Sequence, residues 1–548
     1  MTLDAPARRR NRAPSPDPAG APGGRAAARR AREKARQGAR GPGRGGRAVA
    51  AGLFLLPTAL ALALILPGIG DRQLWRDEHA TWWAATLSMH DLSVLIRTID
   101  VVFTPYYVAM HAWIAATGDS ETALRIPAAV AMACSAGLLA LLGRRMFVPR
   151  VGLIAGLAYA VVPTVTRFGQ EIRPYAFAVA AVLLSTVLLC RALDRPTFRV
   201  WVGYTVSVPL VGWSHLASLA VLAAHLVIVL TARRDGDRIA GWAYAAAAGL
   251  GVCFVLPMAL SGSGQSGQIA WNNPGRRELL DFPTNLFGSW EVAAPVMALG
   301  LLGLCFAGRR ALPLAVWVLA PPALTYATAA QLHLFLPRYL LFTAPAWVLL
   351  AAVLIGRLGG PVTGPKALRP GGGRAAWRAL ATLLALAAVA GLGLRAQPGI
   401  EAARRHAPSE PDFRGAARFI EARQKPGDGI AFSGVQTERR ALDYEFRANE
   451  GRPEDVLMYR TPRQTGRFDA DECPRPAECL LDTRRLWLVA TALDMNPYTD
   501  MPPRTAAVIR RDFRVVETEK LANVQVLLFE RAAPKGPGKG AADREVHS

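Results

Sequence analysis

Cysteine, histidine and acidic residues are scarce in this sequence. Its 548 residues include only 6 Cys and 8 His, and 41 Asp and Glu stand against 64 Lys and Arg. No His or Cys residues have the spacing of a metal-binding motif, and charged residues of both signs make up 19% of the chain. A soluble protein of this length would be more polar. The sequence therefore argues against a metal-binding motif and against a soluble globular protein.

The sequence contains long blocks of apolar residues. Apolar residues make up 52% of the chain and occur in runs such as 48–69 and 239–260. About 20 apolar residues match the roughly 30 Å hydrocarbon core of a bilayer. The runs predict a polytopic α-helical membrane protein with about eleven spans, near 48–69, 122–142, 151–166, 175–190, 198–213, 215–231, 239–260, 292–307, 311–330, 339–356 and 376–395.

The basic excess is strongest at the N-terminus. Residues 1–47 hold 13 Arg and Lys against 3 Asp and Glu, with many Pro, Gly and Ala. Because such a segment cannot bury a core, we predict a disordered cytoplasmic tail that rests on anionic lipid. This interpretation is favoured over a nucleic-acid-binding tail, and we expect no nucleic-acid partner. A cleaved signal peptide is not expected, since the basic stretch is long and no small-residue cleavage site follows the first apolar run.

The charges of the loops predict how the spans are oriented. The apolar stretch 104–117 is short for a span, and we place it in the outer interface as an in-plane helix. Arg and Lys are then about four times denser in the loops on the side of the basic tail than in the opposite loops. This positive-inside pattern predicts a cytoplasmic N-terminus. It places several connections on the outer face, namely 70–103, 166–174, 261–291, 331–338 and everything after about 396.

Beyond the last span, charged residues become frequent and apolar runs shorten. A helix in "PDFRGAARFIEARQ", a Pro-Gly turn and strands in "LWLVATA" and "VQVLLFE" predict a small extracytoplasmic α/β domain over 397–533. Cys473 and Cys479 are close enough in sequence for a local disulfide outside the cytoplasm. Residues 534–548 are predicted to be disordered.

Two outer connections carry acidic side chains beside the membrane. Asp77 and Glu78 follow the first span in "LWRDEHATWW". Glu171 lies between Arg167 and Arg173 in a very short connection between two spans, which holds it near the membrane surface. A solvated loop start and an interfacial ion pair are the simpler explanations. A carboxylate cluster at one depth is the functional alternative.

Two further outer residues are candidates for binding a substrate. Arg338 stands at the mouth of a span next to Tyr339, where it either extends its charge out of the membrane beside an aromatic residue or binds a phosphate. His215 lies in the tight turn "GWSHLAS". A hydrogen-bonded filler is its simpler role.

The order of these pieces resembles the GT-C glycosyltransferases, which include protein O-mannosyltransferases, aminoarabinose transferases and many bacterial relatives. The matching segments are "LWRDEHATWW", "DVVFTPYYVAMHAW", "GDSETALRIPAAVAMACSAGLLALLGRRMF", "RFGQEIRPYAFAVA", "PRYLLFTAPAWVLLAA" and, after the membrane domain, "DFRGAARFIEARQKPGDGIAF". Many relatives have a His-Pro-Pro run where this chain reads "VFTPYY", with Val102 at the position of that histidine. The ordered set is specific for the superfamily and not for the substrate.

The resemblance implies a membrane catalytic domain over 48–396 in a bacterial plasma membrane. It implies transfer of a sugar, mannose or a pentose, from a polyprenyl phosphate to an extracytoplasmic glycan, lipid or protein, with inversion. We expect no cofactor, although a divalent ion is left open. The implied catalytic residues are Asp77 as the base, with Glu78 and Glu171 orienting the acceptor or sharing that role. The implied substrate-binding residues are Arg338 and Arg167 or Arg173 for the phosphate, Tyr106 and Tyr107 as walls of the pocket, Asp100 as a polar contact, and His215.

Two other classes of protein are alternatives to a glycosyltransferase. A flippase for lipid-linked sugars would need broken spans near the middle of the membrane and often an internal repeat. No repeat is visible, and the charged residues cluster at the outer interface. A non-catalytic scaffold is disfavoured by the carboxylates. Transport of labelled donor by proteoliposomes without product formation would favour the flippase.

Overall fold

The structure, a computed structural model, describes residues 44–232, 239–363, 375–434, 437–491 and 496–532. Most of the predicted basic tail and the whole predicted C-terminal tail lie outside the described residues. The chain divides after Gly52. Of the first unit, the structure describes only the opening turns of helix α1. The remaining elements all belong to the second unit.

The described residues up to Arg404 are mostly helical. They are α1 (Arg44–Ile65), α2 (Arg76–Thr86), α3 (Met89–Thr98), α4 (Thr104–Thr117), α5 (Glu121–Met146), α6 (Pro149–Ala160), α7 (Pro163–Gly169), α8 (Tyr175–Asp194), α9 (Phe198–Ser214), α10 (Val221–Ala232), α11 (Ile239–Cys253), α12 (Leu256–Ser263), α13 (Arg276–Phe287), α14 (Trp290–Leu304), α15 (Ala311–Ala327), α16 (Ala329–Leu332), α17 (Ala344–Arg357) and α18 (Ala375–Arg404). Short 3₁₀ turns lie at Val101–Phe103, Leu216–Ala220, Ser266–Ile269, Gly308–Arg310 and Pro337–Thr343.

Five helices in the described residues are long and apolar enough to cross a bilayer, and up to eight spans result if each of three bent pairs is one. The chain is therefore a polytopic helical membrane protein, as predicted, while the count of about eleven spans stays a prediction. The predicted span 151–166 is one bent pair, α6 and α7, with 62° between its halves. The break comes directly before Pro163, which fits the start of a helix and not its interior.

Small residues let the membrane helices pack closely. Helices α5 and α6 cross where Gly143 lies against Gly152, and a Cβ atom on Gly152 would collide with the carbonyl group of Ala140. Close backbone approach at small residues is the usual way for helices to associate in lipid, where there is little hydrophobic drive between them. This core of α5, α6, α8, α14 and α17 supports the outer connections that carry the candidate site.

Three helices and a 3₁₀ turn fill the first outer loop. Helix α4, the ambiguous stretch 104–117, has 14 residues and packs against α2. The 261–291 connection contains a 3₁₀ turn and helix α13. It is joined to the first outer loop by Gln265, whose side chain accepts a hydrogen bond from the Val101 amide at 2.9 Å and donates one to the Ile96 carbonyl at 2.9 Å.

The last membrane helix, α18, continues to Arg404 with Pro398 inside it. The predicted domain boundary at 396 therefore lies within a helix, because charged residues extend the helix beyond the apolar stretch without ending it. The soluble part begins with helix α19 (Phe413–Glu421), in which the Asp412 side chain accepts a hydrogen bond from the Gly415 amide at 2.8 Å.

The C-terminal part is a small α/β domain, as predicted. Its strands are β1 (Gly429–Phe432), β2 (Glu454–Asp455), β3 (Met458–Arg460), β4 (Asp471–Glu472), β5 (Arg485–Ala490), β6 (Phe513–Leu521) and β7 (Val524–Arg531). Its remaining helices are α20 (Thr437–Glu445), α21 (Pro462–Thr465), α22 (Pro476–Cys479) and α23 (Pro503–Asp512). The sheet order is β2-β1-β5-β7-β6, with β1 parallel to both neighbours and β7 antiparallel to β5 and β6. Cys473 and Cys479 form a disulfide.

Candidate active site

Asp77 and Glu78 are neighbours in the first turn of helix α2. The helix starts at Arg76, and the Glu78 carboxylate accepts a hydrogen bond from the Trp75 amide at 3.2 Å, which caps the helix. Successive residues of a helix point about 100° apart. The two acids therefore meet different surroundings although they are adjacent in sequence.

Glu78 is completely buried in a bidentate ion pair with Arg125 of helix α5. Its Oε2 lies 2.9 Å from Nη2 and its Oε1 lies 3.1 Å from Nε of the guanidinium, and both side chains have no exposed surface. The Ile172 amide donates a further hydrogen bond to Oε1 at 2.9 Å. Arg125 also donates to the carbonyl groups of Ile69 and Arg72, at 2.9 and 2.8 Å. Glu78 thus joins helix α2 to two other segments of the site.

Burial raises the pKa of the Glu78 carboxyl, but the charges of Arg125 and Arg72 and the hydrogen bonds outweigh burial, so that the net pKa is lowered. An ionised carboxylate with all of these partners has little capacity left to bind a substrate hydroxyl. Its contacts favour a positioning role, and the catalytic role that the resemblance implies stays a prediction.

Asp77 has the more open environment. Its side chain is 18% exposed, and Oδ2 lies 3.7 Å from Nη2 of Arg338 while Oδ1 lies 3.6 Å from Nε of Arg76. These separations are longer than direct hydrogen bonds. Within the described part of the chain, the carboxylate is therefore held by charge alone and keeps its lone pairs available.

Two arginines from different connections face this region. The Arg338 guanidinium lies 5.9 Å from the Trp75 ring and 5.7 Å from the Tyr339 ring, and its buried Nε has no hydrogen-bond partner among the described residues. Arg173 donates from Nη1 to the Thr81 hydroxyl at 3.2 Å and lies 4.7 Å from the Phe103 ring centroid.

Arg173 makes no ion pair with any described residue and is mostly buried. A buried guanidinium without a carboxylate retains positive charge in a medium of low dielectric constant, which favours an anionic ligand. Arg173 and Arg338 together therefore make a positive region beside Asp77.

Glu171 is brought to the same outer surface but not into contact with Asp77. Its carboxylate is 1% exposed and is bound by the Arg167 guanidinium one helical turn earlier. No hydrogen bond or ion pair links Glu171 to Asp77 in the described ranges. The interfacial ion pair that the sequence offered as the simpler alternative is thus formed with Arg167, and among the described residues it leaves Arg173 as the arginine of this connection without an ion pair.

His215 completes the cluster through aromatic contacts. Its ring centroid lies 4.4 Å from that of Tyr339 and 5.6 Å from that of Tyr175. Burial, followed by the charges of Arg173 and Arg338, lowers the pKa of His215 to about 3. The imidazole is therefore neutral, and its buried Nδ1 has no partner among the described residues.

Tyr106, Tyr107 and Asp100 lie behind helix α2. The Tyr107 hydroxyl donates to the Asp100 carboxylate at 2.7 Å, and Tyr106 packs 5.8 Å from the ring of Phe177. Both tyrosines are buried in the core of the first outer loop. Burial raises the pKa of Asp100 despite the Tyr107 hydrogen bond. The contacts of these residues are consistent with a wall that supports the pocket, and direct contact with a substrate stays a prediction.

The C-terminal domain is fixed to the segment that carries the acids. Gln73 donates to the Pro411 carbonyl at 2.7 Å and accepts from the Arg414 amide at 2.9 Å. The Arg414 side chain also pairs with Glu121 at 2.7 Å. His79, one residue after Glu78, is buried beside Phe413. Helix α2 is therefore held from the membrane side by Arg125 and from the outer side by the C-terminal domain.

Sequence reasoning missed three of these supports, Arg125, Gln265 and Arg414. Arg125 carried a usable signal, because an arginine at the start of an apolar span needs a buried partner. Gln265 and Arg414 lie in polar segments where no pattern distinguishes them. Among the described residues no three His, Cys, Asp or Glu side chains are grouped as metal ligands, and metal dependence stays untested.

The fold and the site define a polytopic membrane protein in which connections at one end of a helical bundle carry a charged cluster beside a small α/β domain. Residues 102–260 match the model of the dolichyl-phosphate-mannose-protein mannosyltransferase family. The matched segment includes Arg173 and excludes Asp77 and Arg338. A comparison with curated protein sequences gives no match.

Solved structures show the same architecture. The chain is similar to ArnT from Cupriavidus metallidurans bound to undecaprenyl phosphate, with 14% identity and a TM-score of 0.58 over 89% of this chain and 100% of that chain. The apo form of that protein gives a TM-score of 0.56 with the same identity and coverage. The apo oligosaccharyltransferase of Archaeoglobus fulgidus, 13% identical, gives 0.49 over 80% of this chain and 69% of that chain. The predicted resemblance to the GT-C superfamily is therefore confirmed, and the fold is ArnT-like.

Proposed function

We propose that this protein is a membrane glycosyltransferase that moves a sugar from a polyprenyl phosphate to an acceptor on the outer side of a bacterial plasma membrane. The observation that carries the proposal is the contrast within the acidic cluster. Glu78 and Glu171 are buried and paired, whereas Asp77 is partly open and lies 3.7 Å from an arginine that is not otherwise ion-paired among the described residues.

Asp77 is the proposed general base. In the transfer, the acceptor hydroxyl oxygen forms a bond to the anomeric carbon while the bond from that carbon to the phosphate oxygen breaks. The hydroxyl proton passes to the Asp77 carboxylate, and the bonding electrons of the broken bond leave with the polyprenyl phosphate. A single displacement of this kind inverts the anomeric centre. The sugar carries positive charge in the transition state, which the same carboxylate stabilises.

Arg338 and Arg173 are the proposed ligands of the departing phosphate. Negative charge grows on that phosphate as the bond breaks, and guanidinium groups remain protonated and bind phosphate oxygens in a bidentate manner. The buried Nε of Arg338 and the unpaired charge of Arg173 leave donors for such an anion. These two cations supply the charge stabilisation, so we propose that transfer does not require a divalent metal.

The charged cluster of Asp77, Arg173 and Arg338 lies at the end of the membrane helices, and this position favours a lipid-linked donor. A phosphate on a lipid reaches the membrane surface from the apolar phase, whereas a nucleotide sugar would arrive from the cytoplasm. One neighbour, ArnT, is bound to undecaprenyl phosphate, and we propose the same class of carrier here. The sugar is proposed to be a neutral hexose or pentose.

Reconstituted protein tests the proposal. Proteoliposomes that contain the purified chain and a radiolabelled polyprenyl-phosphate mannose or arabinose should form labelled product with an envelope extract as acceptor, both with EDTA and without it. Nucleotide sugars should give no product. NMR of the product should show the opposite anomeric configuration to that of the donor. Movement of labelled lipid between leaflets with no product would contradict the proposal in favour of a flippase.

A further inference from the structure

A polar cavity lies between helix α2 and the C-terminal domain, and neither the proposed base nor the two proposed phosphate ligands line it. The groove has a volume of about 880 Å³. Helix α2 contributes Trp82, Trp83 and Thr86, and the rest of the lining comes from β1, helix α20 and the segment 446–463. A cleft of this size can take a ligand of several rings.

The floor of the groove is aromatic and rigid. Trp82 and Trp83 are 8% and 7% exposed, and Phe432 and Phe446 lie beside them with similar burial. The indole of Trp82 donates to Asp119 at 3.0 Å, and the ring of Trp83 packs 5.6 Å from that of Phe468. These contacts fix the orientation of the rings that face the groove.

The rim of the groove carries equal numbers of the two charges. Four arginines and four acids line it, namely Arg439, Arg447, Arg452, Arg463, Asp443, Glu450, Glu454 and Asp455. Some of them pair with each other, such as Arg452 with Asp443 at 3.3 Å. Glu450, Glu454 and Arg463 make no ion pair with any described residue. The groove is therefore rich in planar hydrogen-bonding groups but has no net charge.

Two buried polar atoms in the groove lack partners. Arg439 is 5% exposed and pairs with Asp455 and Glu472 through Nε and Nη2. Its Nη1, and Oδ1 of Asp455, have no hydrogen-bond partner among the described residues. Because an unsatisfied buried polar atom is unfavourable, a donor and an acceptor in this position indicate a ligand that can offer both.

We propose that this groove binds a neutral oligosaccharide, which is the acceptor of the transfer reaction. Sugar hydroxyls donate and accept at the same atom, as Arg439 and Asp455 require, and the C–H faces of sugar rings pack on aromatic surfaces. The balance of charges disfavours an anionic glycan. The claim that this saccharide is the acceptor rests on the proposed function. The claim that the groove binds a saccharide does not depend on it.

The groove and the proposed base share one helix. Trp82 follows Asp77 by five residues, which is a rise of about 8 Å along α2. The same five residues also turn the helix by about 140°, so that the tryptophans lie on the face of α2 away from Asp77, and the acceptor must be long enough to extend around the helix from the groove to the base. A peptide fits less well, because the sheet edge in the groove, β2, has only two residues and offers too short an edge for strand addition.

Calorimetry on the full chain in nanodiscs tests the inference. The probes are neutral mannan and arabinan oligosaccharides, an anionic polyuronide of similar length, and an uncharged peptide. We expect one of the neutral saccharides to bind, and the E450Q/E454Q double variant to weaken that binding at least about tenfold because it removes two charged acceptors.

The matched control is D482N/E519Q, which removes two carboxylates of the same domain that do not line the groove. It should bind the saccharide like the parent chain. Tighter binding of the polyuronide or the peptide, no binding of either neutral saccharide, or equal binding by all variants would overturn the inference. D77N separates the two proposals, because it should abolish transfer and leave saccharide binding intact. If D77N transfers normally, the proposed base is wrong, and the binding data still decide about the groove.

Discussion

The two acids at the start of helix α2 occupy opposite kinds of environment. Glu78 has no exposed surface and is bound by Arg125 and by two backbone amides. Asp77, its neighbour, is 18% exposed and has only ion pairs longer than 3.5 Å. The contacts of Glu78 therefore favour a structural role. The acid with unfilled hydrogen-bonding capacity is the better candidate for chemistry.

The largest expected effect is on transfer by D77N. The amide keeps the shape of the side chain but cannot take a proton, so transfer should fall by about 10²–10⁴-fold. Folding should be unaffected, because Asp77 makes no hydrogen bond through its carboxylate in the described structure. Initial rates with labelled donor and thermal melting of the same samples measure both quantities.

The control for this variant is D71N, an exposed acid of the same outer loop, which should transfer at the parental rate. Retention of transfer by D77N, together with its loss in E78Q at normal stability, would reverse the roles of the two acids.

E78Q should have the largest effect on stability. It leaves the Arg125 charge buried and unpaired, which destabilises a protein by about 3–5 kcal/mol. The E78Q/R125Q double variant should lose less than the sum of the two single variants, as a coupled pair does. Thermal melting in detergent, compared with that of D77N, measures the difference. Additive losses would show that the buried pair contributes little.

The pH dependence of the stability of the unsubstituted protein gives a second measurement of the Glu78 ion pair. The pKa of Glu78 is lowered by folding, so that its ion pair stabilises the protein above the pKa of the unfolded chain. This stability is lost as the pH falls through the lowered pKa of the folded state. The parent should therefore lose stability in acid more steeply than E78Q does.

Replacement of Arg338 tests the partly exposed environment of Asp77. R338Q should reduce transfer by about 10²–10³-fold, the usual loss for one donor to a developing anion. R338K should recover part of the rate, since an ammonium keeps the charge but not the bidentate geometry. R276Q, in the same outer face, is the matched control. Equal rates for R338Q and R276Q would remove Arg338 from the phosphate site.

The smallest effect is expected from D100N. Burial raises the pKa of Asp100, so folding favours its protonated form, and its ionisation lowers stability as the pH rises above the pKa of the unfolded chain. Asn also tolerates the left-handed backbone at this position, where φ is 60°. D100N should raise Tm at pH 7 by about 1–2 °C and have no such effect at pH 4. D482N, an exposed acid, should leave Tm unchanged at both values.

The sequence predicted the class of fold because the evidence for it is periodic and local. Apolar runs give the membrane helices, and the strands in "LWLVATA" and "VQVLLFE" fall within β5 and β7. The exact spans were harder to predict, because short breaks, such as the one before Pro163, divide apolar runs such as 151–166 into bent pairs.

The site was predicted only in part. The loop charges placed Asp77, Glu171 and Arg338 on one face; in the structure Arg338 lies beside Asp77, whereas Glu171 is bound by Arg167, and the roles of these residues stay predictions. The separation of Asp77 from Glu78 depends on Arg125, which lies 47 residues further along the chain. A single sequence contains no signal for such a partner beyond the rule that a charge in an apolar span needs one.

The attachment of Gln73 to Arg414 determines which parts of this protein can be exchanged with a relative. Helix α2 has one side in the membrane domain and the other against α19, so that its residues are matched to both. A hybrid that replaced only the soluble domain would bring a foreign surface against His79 and Trp82. Exchange of the C-terminal domain therefore also requires exchange of residues 70–86 and of Arg125, the buried partner of Glu78 in the membrane domain.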